Sequence, residues 1–259
     1  MRFKRLRFLA KGMVLSNLAL KLLALALVAA VSGAASATPI NHGTFVGIDT
    51  IYNDVTESTQ TAGDPDLLWG APTLLGDQLL FFPPTFSATA TGSGGADTTL
   101  SLLTIDIEAK PGKTLDAILL DEFGDTVLTG TGTAVTQTAV SMSGFVTVTE
   151  DTNGPTFAVI PFTGTFTPKS GFDLPTDPGT TLWSGSILID IASQVPDATA
   201  ATLSLDNQLD AFSETSSSAT IQKKVVDGPA VTISIVPEPG LLLVLGLGCL
   251  ALRTRSSRR

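Results

Sequence analysis

The sequence predicts an all-β chain, an antiparallel β-sandwich or jelly-roll-like single domain, on three observations. Short runs alternate apolar residues with Thr, Ser, Asp or Glu; clusters of Pro, Gly, Asp and Asn separate the runs; helical spacing of apolar residues is scarce. Because successive side chains of a strand point to opposite faces, each run buries one face and wets the other.

The clearest run is Leu103-Thr104-Ile105-Asp106-Ile107-Glu108, with Leu103, Ile105 and Ile107 on one side and Thr104, Asp106 and Glu108 on the other. Residues 187–191 and 231–235 repeat the pattern, and 145–149, 157–167, 202–205 and 220–225 supply further strands. Breaks fall at Lys110-Pro111-Gly112-Lys113, at Asp151-Thr152-Asn153-Gly154-Pro155 and at Asp177-Pro178-Gly179, all turn-forming combinations. Residues 92–95 and 213–218 read as flexible loops. No shift in composition divides the middle, so residues 38–235 form one domain between two targeting segments, 1–37 and 236–259.

The first segment has the layout of a secretory signal peptide. A basic stretch reaches Lys21, ten apolar residues follow from Leu22 to Val31, and Ala35-Ser36-Ala37 places small residues at −3 and −1 of a cleavage site. Cleavage there exposes Thr38. Ten apolar residues are half of the ~20 that a membrane-spanning helix needs.

The last segment reads Val236-Pro237-Glu238-Pro239-Gly240, then twelve uncharged residues from Leu241 to Leu252, then a basic end with Arg253, Arg255, Arg258 and Arg259. As a helix the apolar stretch reaches ~18 Å against a hydrocarbon core of ~30 Å, a short transmembrane helix at most. The arginines hold its end on the cytoplasmic side. Pro237-Glu238-Pro239, the apolar stretch and the arginine cluster, in that order, resemble the PEP-CTERM sorting signal that exosortases recognise. The resemblance covers about the last 23 residues. It implies transfer past the inner membrane, transient membrane anchoring, and an end in cell-surface or extracellular polymer such as biofilm matrix. A plain C-terminal membrane anchor is the competing reading.

Charge narrows the partners. The chain carries 15 basic and 24 acidic residues, formally −9, but ten of the bases sit in the two end segments. Between Lys21 and Arg253 lie all 24 acids and only Lys110, Lys113, Lys169, Lys223 and Lys224, which leaves −19. So acidic a domain repels phosphates, which excludes nucleic acid, and suits divalent cations and basic partners. The one cysteine, Cys249, lies in the apolar tail, so the domain has no disulfide, thiol nucleophile or cysteine metal cluster.

Chemistry is thinly represented. A Ser-His-Asp site needs a histidine, and the single one, His42, stands five residues past the cleavage site, in what reads as a mobile terminus. No catalytic residue is assigned. Asp121, Glu122 and Asp125 are the carboxylates nearest to a glycosidase pair, and Trp69, Trp183 and Tyr52 are the whole supply of Trp and Tyr for sugar platforms, better read as core. Calcium is the physical option for a cofactor, because oxygen ligands relieve acidic self-repulsion. Its candidates are Asp64 and Asp66, an Asp121/Glu122/Asp125 turn, and Asp151 with Asn153; none completes an EF-hand loop.

The reading is therefore an exported, exosortase-sorted, non-enzymatic structural protein of the cell surface or matrix, with signal peptidase, exosortase and exopolysaccharide as partners. The alternative is a secreted carbohydrate-binding or polysaccharide-cleaving domain. Mass spectrometry of the mature protein is expected to find Thr38 first and the C-terminal tail removed; retention of both ends would contradict it.

Overall fold

Alternation turns into strands wherever both a partner edge and an apolar face are within reach. The computed structural model describes residues 38–224 and 228–236, which fall in the unit running from Ser36 to Arg259. The signal peptide with Ala35 and Ala37, and the sorting motif with its apolar stretch and arginines, lie outside the described residues. Among the described residues there is no helix long and apolar enough to cross a membrane.

In chain order the strands are β1 (Ile40–Asn41), β2 (Phe45–Val46), β3 (Thr50–Thr59), β4 (Thr73–Leu75), β5 (Gln78–Phe81), β6 (Ser87–Thr91), β7 (Gly95–Ala109) and β8 (Ala117–Gly130). They continue as β9 (Gln137–Asp151), β10 (Gly154–Thr163), β11 (Thr165–Thr167), β12 (Gly171–Asp173), β13 (Gly179–Asp190), β14 (Ala198–Ser213), β15 (Ser217–Lys223) and β16 (Val231–Val236). Two antiparallel sheets result, one ordered β1-β3-β7-β14-β9-β10 and the other β11-β13-β8-β16-β5-β4. β2 and β12 add to the first, and β15 and β6 to the second. The sheets pack face to face as a β-sandwich.

The core lies between them. Leu203 of β14 stands between Ile105 of β7 and Val146 of β9, and all three are fully buried. The alternation of β7 continues upstream of the legible run, with Thr99 and Ser101 on the inner face. Those hydroxyls fit inside because each is spent on a backbone carbonyl: Thr99 Oγ1 donates to Ser87 O at 2.8 Å and Ser101 Oγ to Ser58 O at 3.2 Å. Tyr52 is core, as expected; its hydroxyl donates to Asp77 O at 2.5 Å. Burial, and then the charge of Asp77, push its pKa up.

Three local expectations change. The run 157–167 is two strands, because the chain leaves β9 at Gly164 and crosses to β13 in the other sheet. Residues 213–218 are no flexible loop but a tight corner of Glu214, Thr215 and Ser216 that carries the chain from β14 in one sheet to β15 in the other. Ser217 N donates back to Glu214 O at 3.1 Å, and Ser213 Oγ ties the corner to Gly92 O at 2.8 Å. Residues 92–94 are likewise a tight turn between β6 and β7, with Gly95 already in the strand.

β8 organises the second sheet. It pairs β13 along one edge and divides the other between β16, opposite residues 117–122, and β15, opposite residues 124–130. At the seam Phe123 N–H donates to Ala230 O at 2.8 Å and Lys224 N–H to Phe123 O at 3.2 Å. Replacing Ile105 by Ala is expected to cost about 2–5 kcal/mol in urea unfolding, whereas Thr104→Ala on the opposite face stays within about 0.5 kcal/mol.

Candidate functional site

Three polar residues occupy inward positions of otherwise apolar runs. In β8 the inner face reads Ile118, Leu120, Glu122; in β14 it reads Leu203, Leu205, Asn207; in β15 it reads Ala219, Ile221, Lys223. All three polar side chains are buried, and the sandwich brings them together at its centre. Lys223 Nζ donates to Glu122 Oε2, and Asn207 Nδ2 donates to the same oxygen at 2.8 Å. The contact spans both layers, since Asn207 belongs to the first sheet and Glu122 and Lys223 to the second.

Aromatic rings close the chamber. Lys223 Nζ lies 5.1 Å from the Phe86 centroid, 5.4 Å from Trp69 and 5.6 Å from Trp183, cation–π range for each. Trp183, Gly124 and Lys223 stand abreast on β13, β8 and β15. A β-carbon at Gly124 would overlap the Trp183 indole, so the missing side chain is what lets that ring reach the ammonium. Gly185, opposite Glu122, makes similar room for Phe166 and the Glu122 stem.

Burial pushes the Lys223 amine below the usual lysine range, and the adjacent Glu122 carboxylate opposes the shift. Glu122 Oε1, Asn207 Oδ1 and Trp183 Nε1 are buried with no hydrogen-bond partner among the described residues. The chamber thus holds an amine, a carboxylate and a carboxamide in contact, all three side chains buried and with spare polar capacity among the described residues.

A second buried carboxylate holds its wall. Glu57 Oε2 accepts Leu68 N–H at 2.7 Å and Trp69 N–H at 2.8 Å; Oε1 accepts Gly70 N–H at 3.0 Å and meets His42 Nε2 at 2.7 Å. The Trp69 indole N–H reaches Ser101 Oγ at 3.0 Å. His42 is therefore no resident of a mobile terminus. The short strand β1 pairs with β3 and delivers it to Glu57, and its side chain is nearly buried.

The other candidates remain apart. Asp121, Glu122 and Asp125 are not a turn but lie within one strand, β8, where Asp121 accepts from Ser186 Oγ at 2.7 Å and Asp125 from Gln222 and Lys224, each at 2.9 Å. Asp151 accepts Asn153 N–H at 2.6 Å inside the β9–β10 turn, a geometric role. Asp66 is exposed, and Asp64, drawn up in pKa by burial and then the charge of Asp97, keeps one buried oxygen without a partner. Among the described residues no three of His, Cys, Asp and Glu converge as a ligand set. A surface groove of about 540 Å³ is lined by Glu108, Lys110, Lys113, Glu150 and Thr152 among others, and by neither tryptophan.

No protein-family model matches the chain, and no curated protein matches it. Among solved structures it is similar to the VP2 protein of infectious bursal disease virus in a subviral particle, with 11% identity and a TM-score of 0.14 over 82% of this chain and 62% of that one. It is similar also to a structure of the Gx strain of that virus, with 10% identity and a TM-score of 0.14 over 80% of this chain and 60% of that one. The chain thus spans about three fifths of the length of these structures, and likeness at such scores carries no functional argument. Glu57→Ala strips four hydrogen bonds from one buried carboxylate, so a loss of about 3–5 kcal/mol is expected in denaturant unfolding, with a red shift of tryptophan fluorescence as Trp69 loosens.

Proposed function

We propose that the chain is an exported β-sandwich, sorted through its C-terminal tail by an exosortase and retained at the cell surface or in extracellular matrix as a structural component. The tail carries this reading: Pro237-Glu238-Pro239, twelve uncharged residues and four arginines stand in the order of a sorting signal. The folded body supports it in one respect. Val236, the residue before the motif, is still paired in the sheet opposite Ala117, so a protease acting at the motif works beside a finished domain.

A structural role is favoured over glycan binding by the position of the tryptophans. Trp69 and Trp183 are interior, and rings that face a buried lysine offer no platform to a sugar arriving from solvent. With Pro237-Glu238-Pro239 replaced by three alanines, the protein is expected to accumulate in the inner-membrane fraction of a host that has an exosortase. Unchanged release of that variant would overturn the sorting reading.

A further inference from the structure

An amine, a carboxamide and a carboxylate sealed together form a reactive set as well as a structural one. Lys223 Nζ and Asn207 Nδ2 share one acceptor, Glu122 Oε2, and two hydrogen bonds to a common oxygen hold the nitrogens within about 6 Å of each other. No solvent competes: the Lys223 and Glu122 side chains have zero exposure, and Asn207 is buried as completely. Asn207 Oδ1 and Glu122 Oε1 have unused capacity among the described residues.

We propose that Lys223 and Asn207 become joined by an intramolecular isopeptide bond, formed in the folded domain with Glu122 as the proton carrier. Glu122 takes a proton from the ammonium, and the neutral amine attacks Asn207 Cγ, forming the Nζ–Cγ bond. A half-turn of the amide exchanges Oδ1 and Nδ2, so that protonated Glu122 can donate to the oxygen on which negative charge develops. Collapse breaks the Cγ–Nδ2 bond; the departing nitrogen takes the second amine proton through Glu122 and leaves as ammonia. An ammonium, a carboxylate and a primary amide thereby become a secondary amide, a carboxylic acid and ammonia, with protons and charge balanced and no oxidant or reductant involved.

Two features favour the forward step. Desolvation already holds the Lys223 amine below its ordinary range, which raises the share of the nucleophilic form. Reaction also replaces a buried ion pair by neutral groups, removing the desolvation cost that the pair carries. The bond closes residues 207–223 into a loop, fastening β14 of one sheet to β15 of the other across the corner at Glu214. It forms whichever route delivers the chain, so its test is separate from that of the tail.

The test is peptide mapping of the full-length protein. Trypsin is expected to leave fragment 170–224 uncut after Lys223 and about 17 Da light, the loss of one ammonia. Glutamyl endopeptidase cuts after Glu214, and fragment 151–214 is expected to stay attached to the fragment that begins at 215. Two separate fragments would overturn the proposal, including where Asn207 has cyclised to a succinimide, which has the same mass loss without a link. Glu122→Gln is expected to show separate fragments at full mass and a thermal midpoint about 6–12 °C lower. Linkage of that variant to the wild-type extent would overturn the role of Glu122, and should the variant not fold, the wild-type map still decides.

Discussion

The contact between Lys223 and Glu122 is the constraint around which the two sheets are arranged. Taking both charges out of water costs several kcal/mol per ion unless the surroundings replace hydration. Here the replacements come from separate parts of the chain: an amide from β14, three aromatic rings and the pairing of the two charges themselves. Each donor of that environment is itself held. Trp69 is fixed by the Glu57 carboxylate through three backbone N–H groups, Trp183 lies over the bare backbone of Gly124, and the Lys223 N–H bonds to the carbonyl of Phe86. A fault in any of these walls exposes a charge pair to a half-wet site, where it is weakest.

The same dependence explains why β8 divides its edge. β15 has to end at Lys223 for the ammonium to meet Glu122, and β16 takes over the pairing from residue 122 downward. The seam at Phe123 is bridged from both sides by single backbone bonds to Ala230 and Lys224. Continuous pairing along β8 is given up at one residue, and an ion pair within the second sheet is gained, which Asn207 joins from the first.

Much of the sandwich was legible because it obeys period two. Leu103, Ile105 and Ile107 announce their own burial, and the residues around Gly154 announce the β9–β10 turn. Extending period two from Leu203 and Leu205 reaches Asn207, and from Ile221 reaches Lys223, a signal that the reading of those runs left unused. Their meeting was not legible, because alternation says nothing about which sheet a strand joins. A corner of three residues and the crossing at Gly164 decide that, and neither interrupts the pattern by much. His42 was misplaced for a similar reason: two residues of strand are too few to show a period, yet enough to deliver an imidazole to Glu57.

The last strand has a mechanical consequence. β16 runs between β8 and β5, hydrogen-bonded on both flanks, and its end is the point from which the tail departs. Tension applied at Val236 along the strand would load those bonds in shear, all together, because ladder bonds lie across the strand direction. An edge strand would instead peel one bond at a time, so a tether placed at β16 loads the domain across two flanks at once.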